Sequence, residues 1–133
     1  MREFKLEIVT PDGLAFSGGA ESLLVTTSEG DTEILAAHAD YIAAVGTGRA
    51  RIRAGGKDIY ASISRGILTV KNGDVTLAGV TFELAEDIDL ARAMRAKEAA
   101  EERLRGAQSD RDIAVAKAKL ERAIARIKAT ELK

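Results

Sequence analysis

Hydrophobic and polar positions follow two different periods along this chain, and the period changes once. Phe4, Leu6 and Ile8 are interleaved with Lys5 and Glu7, the period of two expected of a strand with one buried face. Pro11-Asp12-Gly13 supplies a turn, with φ fixed at the proline and a permissive glycine at its end. Leu14 and Phe16 resume the alternation until Gly18-Gly19, read as a second turn, and residues 22–27 form a third strand with a β-branched tail. After the turn at Glu29-Gly30-Asp31, short strands are expected at residues 34–35, 41–45, 50–53 and 59–64, separated by Gly46, Gly48, Gly55-Gly56 and Gly66. Residues 67–71 and 75–80 flank Asn72-Gly73, and an Asn-Gly pair between alternating apolar runs is a strong hairpin signal. Many short strands at this spacing predict an antiparallel β-sandwich or flattened barrel.

From Asp87 the period becomes helical. With Asp87 as N-cap, Leu90, Ala93, Met94, Ala100 and Leu104 make an interrupted stripe that ends near Gly106, whose missing Cβ suits a helix C-cap. Ser109-Asp110-Arg111-Asp112 has the form of a capping box for a second helix, with the stripe Ile113, Ala116, Leu120, Ile124 and Ile127. So short a connection predicts antiparallel neighbours, a two-helix hairpin. The expected class is therefore α+β, with a sandwich over residues 1–84 and a helical hairpin over 85–133.

Composition sharpens this division. All five aromatic residues, the only proline and every glycine except Gly106 precede residue 83, and the text beyond it is rich in Ala, Glu, Arg, Lys and Leu. Glycine and aromatics belong to turns and pleated strands, whereas alanine-rich charged text favours helix. A hairpin seam built largely of alanine buries little apolar surface, so the two helices are only marginally held together. Strong helices with a weak seam suit a segment that changes partners, and the same composition also fits a plain, closely packed hairpin. Among 133 residues there is no cysteine, which excludes disulfides, thiol nucleophiles and thiolate metal sites. A net charge of -1 gives no reason to expect nucleic acid, and no apolar run is long enough for a membrane span or signal peptide. His38, the sole histidine, has no Ser, Cys or acidic neighbour that spells a triad and reads as a structural or interface residue. The glycine pairs lack the Lys-Ser/Thr and helix of a phosphate loop, and no enzyme signature is found.

The junction carries the most specific motif, Ile88-Asp89-Leu90-Ala91-Arg92-Ala93. Asp89 and Arg92 share one face at a helix start, where the plain reading is a solvated ion pair. Taken with Val9-Thr10-Pro11-Asp12-Gly13, with Glu29-Gly30 followed by Ile34-Leu35 and His38, and with Ser64-Arg65-Gly66 and Leu68, it resembles the epsilon subunits of bacterial rotary F-type ATP synthases over essentially the whole chain.

That resemblance implies a non-catalytic central-stalk rotor subunit. Its sandwich would pack against the gamma subunit and the c-ring, on the cytoplasmic side of the cell membrane, without inserting into the membrane and as a monomer when isolated. Its hairpin would alternate between a compact state and an extended state that meets the catalytic beta and alpha subunits and opposes ATP hydrolysis. ATP would be a regulatory ligand of the compact hairpin, held without hydrolysis, with Mg²⁺ a candidate companion ion and no obligatory cofactor or protein metal site. By resemblance Glu83, Ile88, Asp89, Arg92, Ala93, Arg122 and Arg126 fall on positions associated with ATP. Four carboxylates, Glu83, Glu86, Asp87 and Asp89, crowd the start of helix one and would repel a triphosphate, so the phosphates belong elsewhere. Arg122 and Arg126, one turn apart on helix two, would join Arg92 in a guanidinium clamp, while Asp89, an acceptor, suits the amino group of adenine. One position departs from the pattern: Ala99 stands where nucleotide-binding members carry a further arginine, and Arg95 lies a turn earlier. The alternative is a purely structural rotor subunit whose hairpin binds no ATP.

Overall fold

The computed structural model describes residues 2–131; Met1, Leu132 and Lys133, the last two being the expected end of the hairpin, lie outside the described residues. Eight strands precede two helices: β1 Phe4–Thr10, β2 Gly13–Ala20, β3 Ser22–Thr27, β4 Gly30–Leu35, β5 Tyr41–Val45, β6 Gly48–Ala54, β7 Lys57–Lys71, β8 Asp74–Leu84, α1 Leu90–Arg105 and α2 Asp110–Thr130. The strands follow the order β2-β1-β8-β7-β5-β3-β4, with β6 pairing both β3 and β7, so that the sandwich is nearly closed on itself. All pairs are antiparallel except β1 with β8, which brings the first and last strands side by side.

Two turns follow the expected chemistry. Gly55 and Gly56, at φ of 59° and 75°, join β6 to β7, and Asn72 and Gly73, at 52° and 83°, close the β7–β8 hairpin in the left-handed conformation that a two-residue hairpin of this kind requires.

Two glycine readings are corrected. Gly18-Gly19 is no turn but the interior of β2, paired with Leu6 and Lys5. Gly66 does not separate two strands either: β7 runs through it as one strand of 15 residues. The reason is steric. Gly66 pairs with Gly79 on β8, and a Cβ at Gly66 would lie 2.2 Å from the Ala78 carbonyl oxygen, so two strands cross here at a separation that no side chain permits. On either side of this point the inward set changes from Ala61 and Ile63 to Leu68 and Val70, because β7 passes from one layer of the sandwich to the other. Between the layers lies a core dominated by large side chains, among them Leu6, Ile8, Leu23, Ile34, Ile52, Leu68 and Leu77, each fully buried.

The chain leaves β8 through a short 3-10 turn, Ala85–Asp87, and the N-cap of α1 is Asp89, two residues later than the expected cap at Asp87. Asp89 takes the cap because its Oδ1 accepts the Arg92 backbone N–H at 3.1 Å, satisfying one of the free donors of the first turn. Ser109 caps α2 in the expected way, its hydroxyl accepting from the Asp112 N–H. Gly106 does cap α1, at φ of -92° and outside the left-handed region, so its lack of a Cβ is not what the position uses.

The helices form an antiparallel hairpin folded onto the sandwich, with α2 against β6 and β7 and α1 against α2. Ala85, Ile88, Ala93 and Ala129 make a small second cluster against Tyr60 and Ile127. The expected stripe of α1 needs revision: Leu90 and Met94 face solvent, and the buried residues of the helix are Ala93 and Ala100. On α2 the buried set is likewise Ala116, Ala123, Ala125 and Ala129, with Ile113 turned outward. The seam brings backbones too close together for long side chains, which are displaced to its margins. No helix among the described residues is long and apolar enough to cross a membrane.

Candidate functional site

The alanines that draw the helices together also leave space. Between hairpin and sheet lies a cavity of about 440 Å³, within the roughly 300–1,000 Å³ range of small-molecule sites. Its floor is the sheet, with Ser62, Ile63 and Ser64 on β7 and Thr81 and Glu83 on β8; α1 contributes Ala96, Ala99, Ala100 and Arg103, and α2 Lys119, Arg122, Ala125 and Arg126. Helical periodicity explains the set. Residues 96, 99, 100 and 103 stand at successive turns on one face of α1, as do residues 119, 122 and 126 on α2.

The lining is strongly cationic at one side and apolar at the other. Three guanidinium groups and one ammonium meet a single carboxylate. Glu83 is paired with Arg126: Nη2 donates to Oε2 at 3.2 Å, and Nε lies 2.9 Å from Oε1 without hydrogen-bonding alignment. Arg103, Lys119 and Arg122 have no ion-pair partner among the described residues. The hydroxyls of Ser64 and Thr81, 2.6 Å apart, give the floor a polar strip. Such a space offers several charge-assisted donors to an anion and a smooth alanine wall to something flat.

Of the seven residues singled out in the sequence, three line this cavity: Glu83, Arg122 and Arg126. Ile88 and Ala93 are buried in the small cluster that ties α1 to the sandwich. Asp89 is not paired with the Arg92 side chain; its carboxylate caps the helix. Arg92 is exposed, one turn before Ala96 on the same face of α1, and stands outside the cavity lining. The cation that α1 presents to this cavity is Arg103, and Arg92 is not brought together with Arg122 and Arg126 there. Arg103 and Lys119 were missed, as were the hydroxyls of the sheet. The spacing of Lys119, Arg122 and Arg126 along one helix face was the available signal for the lysine. Among the described residues no group of three or more His, Cys, Asp or Glu is placed to hold a metal ion, so any Mg²⁺ here would depend on oxygens of a bound phosphate.

Comparison with known proteins gives one result across the chain. The family "ATP synthase, Delta/Epsilon chain, beta-sandwich domain" matches residues 3–85, and "ATP synthase, Delta/Epsilon chain, long alpha-helix domain" matches residues 86–131. The ATP synthase epsilon chain of Ruminiclostridium cellulolyticum is 41% identical over 130 residues, covering 98% of this chain and 97% of that one. That of Bacillus velezensis is 37% identical over 127 residues, covering 96% of each. Among solved structures, a chain of the Euglena gracilis mitochondrial ATP synthase superposes with a TM-score of 0.81 at 21% identity, over 92% of this chain and 78% of that one. A chain of the Tetrahymena thermophila mitochondrial ATP synthase central stalk and c-ring gives 0.67 at 13% identity, over 97% of each. At those identities the structural likeness speaks to the fold.

Proposed function

Because the chain belongs to the ATP synthase epsilon-chain family, we propose that it is a non-catalytic rotor subunit of the central stalk whose hairpin, folded on the sandwich, takes ATP without hydrolysing it. The observation that carries the nucleotide half is the cavity in which cations of both helices face hydroxyls of the sheet. A ligand held by three elements at once binds only while they are together. Its differential affinity for the compact state then stabilises that state by mass action, about 2.7 kcal/mol at a hundredfold excess over Kd. When ATP falls, the hairpin is released, extends along the catalytic beta and alpha subunits and opposes ATP hydrolysis. In this reading the subunit sits on the cytoplasmic side of the membrane, as a peripheral part of the complex.

The rotor half is supported by the outer face of the other layer. Leu14, Val9, Ala78, Ile67 and Ala44 are directly paired across β2, β1, β8, β7 and β5 and form one row, flanked by Ile42. Leu14, Ile42 and Ile67 are 60%, 71% and 52% exposed, an apolar band of the kind that a stable partner covers. The gamma subunit, with the c-ring below it, is the proposed occupant.

Melting the purified chain with increasing ATP tests the sensor: the midpoint should rise with ligand concentration, with no ADP produced. A midpoint unmoved by millimolar ATP would leave the structural rotor alone. That second reading is favoured by two observations, the engagement of Asp89 as a helix cap and the position of Arg92 outside the cavity. Deleting residues 88–133 separates the two: both readings expect assembly to survive, and only a regulatory hairpin expects altered ATP hydrolysis by the complex.

A further inference from the structure

Helix one presents an unusual face to the cavity. Ala96, Ala99 and Ala100 offer no donor, and the cation of that face, Arg103, is set one turn beyond Ala99. Long side chains on a helix lean toward its N-terminus, so Arg103 covers the turn that Ala99 leaves bare. Because the helices are antiparallel, the loop end of the cavity is where Arg103 and Lys119 both stand. Glu83 and its partner Arg126 occupy the opposite end, seven residues and about 10 Å further along α2 at 1.5 Å per residue. The field along the cavity is therefore polarised. One end holds a neutralised pair, and the other holds cations with no carboxylate partner among the described residues.

We propose that Arg103 and Lys119 bind the terminal phosphates of a nucleoside triphosphate, with the chain of phosphates running along Arg122 and the nucleoside toward Glu83. The inference rests on the nucleotide reading above and adds a direction and a discriminating pair of residues. A triphosphate spans the cationic end, a diphosphate reaches part of it, and a monophosphate is left at its near side. Affinity thus falls with each phosphate removed, and the discrimination resides in Arg103 and Lys119.

The test is isothermal titration of the full-length chain with ATP, ADP, AMP and inorganic tripolyphosphate, for the wild type and for Arg103→Gln, Lys119→Gln and Arg105→Gln. Arg105 is an exposed cation of the same helix turn that does not line the cavity. Loss of one charge-assisted contact should weaken ATP binding about tenfold in Arg103→Gln and in Lys119→Gln, with AMP little affected and Arg105→Gln unchanged. Adding Ala99→Arg to Arg103→Gln should restore ATP binding. Equal losses in Arg103→Gln and Arg105→Gln would overturn the proposal, since a general loss of positive charge explains them. Equal weakening of AMP and ATP would overturn it too. If the wild type takes tripolyphosphate in an Arg103-dependent way and refuses ATP, the phosphate end stands and the nucleotide reading falls; if it takes neither, both fall.

Discussion

The two buried regions of this molecule are built from different side chains. Between the sandwich layers the buried residues are mostly Leu, Ile and Val, with Phe4 and three alanines, whereas along the hairpin seam and against the sheet they are almost all alanine. A fully buried leucine or isoleucine contributes about 1.5–3 kcal/mol, and a single buried carbon such as an alanine methyl about 0.8 kcal/mol. The sandwich is therefore held by burial. The helices are held by their own propensity and are only lightly attached to what they touch. A region of the second kind is suited to parting and re-forming, and a ligand that bridges its pieces has leverage that it would not have on the first.

The largest effect should come from the sandwich. Leu68→Ala removes a side chain with no solvent exposure from the point where β7 has crossed layers, and is expected to cost about 2–5 kcal/mol in urea unfolding. The loss should be global, lowering protection from hydrogen exchange in strands and helices together. Should only the helices lose protection, the assignment of the main core to the sheet would be wrong.

Filling the seam should act more locally. Ala123→Leu places three extra carbons where α2 is buried, and an overpacked contact costs about 1–3 kcal/mol. The helices are expected to lose protection while the strands keep theirs, and affinity for ATP should fall as the compact state becomes rarer. If Ala123→Leu instead raises stability, the seam holds more unfilled space than its alanines imply.

These two regions were not equally legible. The strands of the sandwich could be read from alternation and turn residues because a buried face and a tight turn each leave a mark on neighbouring positions. Gly66 was misread because its role depends on Gly79 and Ala78, distant in sequence, and a close crossing looks locally like a turn. The helices were legible as helices, yet their buried face only in part: Ala93, Ala100 and Ala116 belong to the expected stripes and are buried, whereas Ala123, Ala125 and Ala129 were not picked out. Where alanine fills the seam, hydrophobicity no longer distinguishes inside from outside, and Leu90 and Met94 drew the stripe to the solvent face. Of the cavity lining, Glu83, Arg122 and Arg126 were named from the sequence and Arg103 was not, since which turn of α1 meets the cavity depends on how the helices pack.

The helix starts give a smaller and cleaner test. Asp89→Ala should cost about 1 kcal/mol through loss of the cap on α1, and Asp89→Asn, which also accepts from the Arg92 N–H, a few tenths at most. Helix protection reports the cap and ATP titration reports any contact with the base. An Asn variant that keeps its stability and loses ATP would give Asp89 a second role; one that keeps both would confine it to capping.

The smallest effect is expected at the one ion pair, among the described residues, that joins sandwich to hairpin. Arg126 and Glu83 have side chains 22% and 37% exposed, so solvent weakens their attraction and a pair of this kind contributes about 0–1 kcal/mol. Glu83→Gln keeps the shape and a hydrogen-bond acceptor while removing the charge. Protection of α2 should then fall by no more than a factor of about five, and 0.5 M sodium chloride should erase much of the difference between variant and wild type. A far larger loss would mean that the hairpin is latched by charge and not by its many small apolar contacts. In that case ATP could release Arg126 from Glu83 as readily as hold it, and the light attachment inferred from the alanines would no longer explain how the hairpin comes free.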